Sequence, residues 1–191
     1  MPPEETKARI KRTATELFAE KGFNGTGVTE IGDRAGIQRG SLYYHIKSKE
    51  DLLWQIIYDH LEASVAAVKG IAESEGPPGE KLRALIRHQV AFVIERRLEM
   101  VIWQRDRDAL TGDRALVLHE MRDGVADQWR RVIREGHHAG AFATADPVVI
   151  NAILSMVNMT HVWFRDGGEK SPREVADTLA DLALTGLAAS P

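Results

Sequence analysis

The sequence predicts an all-α protein, and three observations carry that reading. Apolar residues recur three and four apart along most of the chain, as in Ile10, Ala14, Leu17 and Phe18, a spacing that gathers them on one face of a helix. No segment alternates apolar and polar residues with the two-residue period of a strand. Glycine and proline cluster where the periodic segments stop, most clearly in the stretch Glu73-Ser74-Glu75-Gly76-Pro77-Pro78-Gly79. With 191 residues, 43% of them apolar, the chain is long enough for one large domain or two small ones with real cores. The absence of cysteine excludes a disulfide framework, a thiol nucleophile and a cysteine zinc site. No apolar run approaches the length of a membrane span, and the acidic start Met1-Pro2-Pro3-Glu4-Glu5 is unlike a signal peptide, so a cytoplasmic protein without a membrane partner is expected.

The first helix is expected over residues 4–21, with Ile10, Ala14, Leu17 and Phe18 inward. Lys7, Arg9, Lys11 and Arg12 crowd its early turns, either as a solvated face or as phosphate contacts. Gly22, Gly25 and Gly27 then break the chain. Ile31 and Ala35 mark one face of a short second helix, Gly36 supplies the positive φ of its stop, and Ile37 fills the corner. A third short helix runs from about Arg39 to Ile46, with Leu42 and Ile46 inward and Arg39, Ser41, Tyr43, Tyr44 and His45 outward. That outward set is wrong for a core and suits phosphates, base edges and thymine methyls, so the pair of short helices reads as a helix-turn-helix. Ser48 caps a long helix over Lys49–Ile71, with Asp51 in its first turn where the helix dipole favours an acid. The first fifty residues hold nine Lys/Arg against seven Asp/Glu, whereas the whole chain carries −3, the sign expected of a DNA-binding end on an acidic body.

Beyond the Gly/Pro punctuation the periodicity predicts a helix over residues 80–104 through Leu82, Leu85, Ile86, Gln89, Phe92, Val93 and Met100, and another over 114–138 through Leu116, Val117, Met121, Val125, Trp129, Val132 and Ile133. Asp146 and Ser171 are helix caps, each followed by a proline at the first helical position, and they start helices reaching about Arg165 and Ala188. Residues 148–162 are apolar nearly all round, and Val175, Leu179, Leu182, Ala183, Gly186 and Leu187 form a long stripe. A helix apolar on all sides needs cover on all sides, and a second copy of the chain is the simplest source of it.

At Ile31, Ala35-Gly36, Gly40, Leu42-Tyr43, His45, Lys47-Ser48-Lys49-Glu50 and Leu52-Leu53, with Gly22-Phe23 upstream, the sequence resembles the TetR family of bacterial transcriptional regulators. The likeness is specific over residues 7–60 and one of length and helical character beyond. Gly32, Gly27 and Ile46 stand where alanine, a threonine or serine cap and phenylalanine are usual, and none of the three removes a candidate DNA contact. The resemblance implies a helix-turn-helix domain at 1–48 and a helical effector-binding and dimerisation domain at 49–191. Thr29, Gln38, Arg39, Gly40, Ser41, Tyr43, Tyr44, His45 and Lys49 would face DNA, Arg39 contacting a base and Lys49 a phosphate. The last two helices would form a four-helix dimer bundle, with Val175, Leu179, Leu182 and Gly186 at the seam. The partners implied are a palindromic double-stranded operator, a second copy of the chain and a small-molecule effector; no cofactor or metal is implied. In general likeness the chain also resembles actinobacterial repressors of sterol and fatty-acid catabolism, whose ligands are acyl-CoA thioesters.

For the effector, the inventory Phe92, Met100, Trp103, Met121, Trp129, Met156, Met159, Trp163 and Phe164 is either plain core or the lining of an apolar cavity. Phe92, Trp103, Met121 and Trp129 are the expected wall, and Asn151, Asn158, Thr160, His161 and Arg165 the groups expected to orient a ligand's head. His137 and His138 sit at a helix end, where cationic residues are ordinary. No nucleophile elbow, phosphate-binding loop or dinucleotide fingerprint occurs, so the rival reading, an all-α carrier or enzyme that does not bind DNA, has no motif to rest on.

Overall fold

The computed structural model describes residues 3–188, and within them every regular element is helical. The order is α1 (Pro3–Lys21), α2 (Val28–Arg34), α3 (Arg39–His45), α4 (Lys49–Ala72), α5 (Pro78–Glu95), α6 (Arg97–Asp106), a 3₁₀ turn (Arg107–Ala109), α7 (Gly112–His138), α8 (Pro147–Asn158), α9 (Thr160–Trp163) and α10 (Pro172–Leu187). Asp146 accepts from the Val148 N–H at 2.6 Å, and Ser171 and Glu174 close a reciprocal capping box, so both predicted caps form.

Two predicted helices are each split. The one expected over residues 80–104 breaks at Arg96, whose backbone (φ −108°, ψ 39°) leaves the helical region without a glycine or proline to mark it. The one expected to reach Arg165 breaks at Met159, and here the cause is visible. The Nδ1–H of His161 donates to the Asn158 carbonyl at 2.6 Å, using the acceptor that the Val162 N–H would need to continue the helix; that N–H bonds Met159 O instead.

The chain divides into two compact units. One comprises the residues up to Leu61 together with Leu98–Glu120, and the other Glu62–Arg97 with the residues from Met121 onward. This differs from a division at residue 48: the first half of α4, most of α6 and the first turns of α7 are compact with the N-terminal helices. In the first unit α1, α2 and α3 pack on one another, burying Ile10, Leu17, Phe18, Ile31 and Leu42 completely. In the second, α5 lies along α10, and a single apolar cluster joins Leu82, Leu85, Ile86 and Val90 to Trp129, Val132, Ile133, Ile150, Val157, Phe164, Ala176, Ala180 and Leu187. Ion pairs Arg83–Asp181 and Arg87–Asp177 flank that helix pair on its wet side.

Near the end of α7 the buried Phe142 ring lies against Gly136, where an added Cβ would stand 2.2 Å from Phe142 Cδ2. Helix propensity favours alanine over glycine by about 1 kcal/mol, but the overlap reverses the sign. Gly136→Ala is therefore expected to lower stability by about 1–3 kcal/mol, read as a fall in thermal midpoint; a rise would show that the ring moves aside freely.

Candidate DNA-reading surface and effector site

The turn between α2 and α3 is built from backbone alone. Gly36 takes φ +65°, its N–H bonds Asp33 O at 3.1 Å, and the Ile37 N–H bonds Gly32 O at 2.9 Å, the pair of bonds that closes a helix on a left-handed residue. α2 starts from Gly27, which has no side chain to cap with, and the hydroxyl of Thr26 before it is buried and donates to Gly22 O at 2.8 Å. At residue 32 an added Cβ would stand 3.0 Å from Leu42 Cδ2 and 3.3 Å from Ile37 O, so glycine there lets α2 and α3 approach closely.

α3 has no side-chain cap either and is held by its inward residues Leu42 and Ile46. Its other side is open: Tyr44 is 83% and Tyr43 54% exposed, and Gln38, Gly40 and Ser41 are also exposed. His45 is half-buried, its ring 5.3 Å from that of Tyr44 in an edge-on contact. Thr29, at the start of α2, is exposed. Arg39 opens the backbone of α3, and its side chain lies outside the described residues.

Lys49 is used differently from the expectation of a phosphate contact. Its ammonium donates to Phe23 O at 2.8 Å and Thr26 O at 3.0 Å and sits 4.2 Å from the centre of the Phe23 ring, tying the start of α4 to the α1–α2 loop. The cause is tertiary: at the first position of α4 the long stem reaches carbonyls that no helix satisfies, while Lys47, two residues earlier, is exposed.

Two further arginines support the surface, and nothing in their spacing announces it. Arg105 of α6 donates to Phe18 O and, at 3.3 Å, to Ala19 O, carbonyls of the last turns of α1, while its guanidinium pairs with the buried Asp106 at 3.2 Å. A cation at a helix C-terminus is favoured by the helix dipole. Arg114 of α7 pairs with Asp51 and, at 3.6 Å, with Glu50 in the first turn of α4, its guanidinium stacked 5.5 Å from the Trp54 ring. Lys21–Glu30 and Arg34–Glu20 bridge α1 to α2, the first holding the Glu30 carboxyl below the usual range.

The expected effector residues are divided. Trp103 belongs to the first unit, buried beneath the Arg107 guanidinium. In the second unit Trp129 is fully buried, Phe92 and His161 are nearly so, and Met121 and Asn158 are half-buried. Arg165 is exposed on the surface, its Nη1 turned to the backbone carbonyls of Val162 and Phe164. A contact that the spacing did not announce joins α5 to α8: Gln89 Nε2 donates to Asn158 Oδ1 at 2.9 Å. His137 Nδ1 donates to Phe142 O at 3.0 Å, a use internal to the chain turn.

Of the expected dimer stripe, Val175 is buried in the chain's own core and Leu179 packs partly against it, whereas Leu182 is 60% exposed and Gly186 is exposed. The open side of α8 and α9 carries Val148, Ala152, Ser155, Met159 and Val162 at alternating spacings of four and three. Within α8 that spacing places Val148, Ala152 and Ser155 on one helical face, and Met159 and Val162 continue the apolar exposure past the break.

The family model for bacterial regulatory proteins of the tetR family matches residues 10–56, and that for the tetracyclin repressor-like C-terminal domain matches residues 75–187. The chain is 27% identical to the HTH-type transcriptional repressor KstR2 of Mycolicibacterium smegmatis, covering 98% of this chain and 93% of that one. Among solved structures, the ketosteroid transcriptional regulator KstR2 of Mycobacterium tuberculosis superposes with a TM-score of 0.88 at 26% identity, covering 96% of this chain and 95% of that one. AibR, solved in complex with isovaleryl coenzyme A and operator DNA, superposes with a TM-score of 0.82 at 25% identity, covering 93% and 97%.

Removing the Lys49 ammonium while keeping its stem, Lys49→Met, is expected to lower stability by about 2 kcal/mol, the scale of lost hydrogen bonds to a charged group. A chemical denaturation curve measures it. An unchanged midpoint together with a shallower dependence of DNA binding on salt would return Lys49 to the phosphate backbone.

Proposed function

The chain belongs to the TetR family of bacterial regulatory proteins, and we propose that it is a homodimeric transcriptional repressor that reads a palindromic operator with α3 and releases it when a small apolar or amphipathic effector binds the second unit. The observation that carries the DNA assignment is the open face of α3, where two tyrosines, a serine and a glutamine stand in solvent on a helix whose inward side is fully packed. Such side chains reach phosphates and base edges in a major groove, and Arg39, at the start of α3, is the group to pair with guanine. The regulator works in the cytoplasm, where its operator is; no described helix is long and apolar enough to cross a membrane.

One short helix reads too few base pairs to be selective, and two related by a two-fold axis read a palindrome with half-sites about 34–36 Å apart or somewhat further. The open side of α8 and α9 and the outward side of α10 around Leu182 and Gly186 supply the seam for the second copy. Val175 contributes from behind, by fixing α10 on its own core. Release by the effector is a population shift, and its size is limited by the ligand's differential affinity for the DNA-bound and DNA-free states.

A gel shift with the DNA flanking the protein's own gene tests the reading, and a protein that binds no DNA there would favour a carrier. In that assay Tyr44→Ala is expected to weaken specific binding by about 1–3 kcal/mol while leaving the thermal midpoint unchanged, since its ring touches solvent rather than core. Leu182→Asp, remote from DNA, is expected to lower both the mass seen by light scattering and operator affinity. A Leu182→Asp protein that stays dimeric would move the seam elsewhere.

A further inference from the structure

Six glycines punctuate the helix-turn-helix end of the chain, and five have a reason in the fold. Gly22 and Gly36 take positive φ, +82° and +65°, where a side chain is strained. At Gly25 an added Cβ would stand 2.5 Å from Lys21 O, and at Gly32 it would stand 3.0 Å from Leu42 Cδ2. Gly27 is the N-cap of α2, a position that glycine fills about as well as threonine.

Gly40 has none of these reasons. It lies within α3, without positive φ. Apart from its own helix backbone and chain neighbours, no atom stands within 4 Å of where a Cβ would be, and the position is exposed. Every residue but proline is a better helix former, and α3 is short and has no side-chain cap to spare. The glycine thus weakens the helix that reads DNA, and no described residue requires it.

The requirement then comes from what α3 meets. Gly40 stands three and four residues before Tyr43 and Tyr44, so the three share the open side of the helix, away from the buried Leu42 and Ile46. An α-helix with its side chains is about 10–12 Å across and the major groove about 12 Å wide, so a helix laid in the groove fills it. Long side chains such as the two tyrosines reach outward to the walls. The helix itself comes closest to the bases where its own side chain is smallest.

We propose that Gly40 is a specificity determinant of the operator complex: its missing side chain lets the backbone of α3 lie directly against a base edge in the major groove, and a methyl group there holds the recognition helix out of the groove. The inference rests on the DNA-reading assignment above and deepens it. Non-specific binding is carried by phosphates and does not need the helix seated among the bases. A side chain at residue 40 therefore acts on the specific complex.

The test starts with an operator duplex selected from a random-sequence pool by the full-length wild-type protein. Fluorescence anisotropy at one salt concentration then compares wild type, Gly40→Ala and Gly40→Leu on that duplex and on a scrambled duplex of the same length. Gly40→Ala is expected to weaken operator binding about tenfold, the scale of one mismatched base pair, while changing scrambled-duplex binding less than about twofold. Gly40→Leu, larger, unable to hydrogen-bond a base and also a good helix former, is expected to weaken the operator complex further. Because both replacements favour the helix and meet open space, the DNA-free thermal midpoint should hold or rise. A glycine needed only by the fold cannot give that combination. Unchanged operator affinity in Gly40→Ala, equal weakening on the two duplexes, a Gly40→Leu protein that binds operator as tightly as wild type, or a clear fall in the midpoint of Gly40→Ala would overturn the inference and leave the DNA-reading assignment standing. A wild-type protein that selects no sequence would remove both.

Discussion

A helix of seven residues cannot stand alone, because fixing its first turn costs more than its few internal hydrogen bonds return. α3 is such a helix, and it lacks even a side-chain cap. Everything around it supplies the order it cannot supply itself. Leu42 and Ile46 anchor it from within, and the bonds at Gly36 and Ile37 set its angle to α2. Lys49 fastens the start of α4 to the loop before α2. Arg105 and Arg114 extend the same support to α1 and α4 from a segment more than fifty residues away in sequence. Residues outside α3 thus decide where Tyr43 and Tyr44 stand.

That dependence explains what could be read in advance. Positions whose role is local were legible: the capping residues Asp146 and Ser171, the positive φ of Gly36, the inward spacing of Leu42 and Ile46. Positions whose role is tertiary were not. Lys49 looks like a phosphate contact because a lysine beside a recognition helix usually faces solvent, and only the fold brings the Phe23 and Thr26 carbonyls to its ammonium. Trp103 shares the chemistry of Trp129 but falls in the other compact unit. The break at Met159 depends on a histidine ring turning back onto a carbonyl, and the break at Arg96 has no marker in its neighbours.

α10 shows the same limit from another side. Its sequence is one apolar stripe, and a stripe does not say which part serves which neighbour. The structure divides it: Val175, Ala176, Ala180, Ala183 and Leu187 close the chain's own core, leaving Thr178, Leu182, Thr185 and Gly186 outward. An exposed leucine among small residues costs little in a monomer, and under the proposed reading it is this outward face that a second copy covers.

A ligand of the second unit belongs to a different balance. Held at a hundred times its dissociation constant, it stabilises the unit by about 2.7 kcal/mol. Stabilising the second unit is not yet regulation, since a ligand equally welcome in the DNA-bound and free states shifts nothing. α4 and α7 each begin in the first unit and end in the second without a break, so the backbone that carries Trp129 is continuous with the backbone that carries Arg114. Under the proposed reading, only the part of a ligand's binding energy that differs between the DNA-bound and DNA-free states is available to release DNA. By reciprocity, operator-bound protein must bind the same ligand more weakly by the same factor.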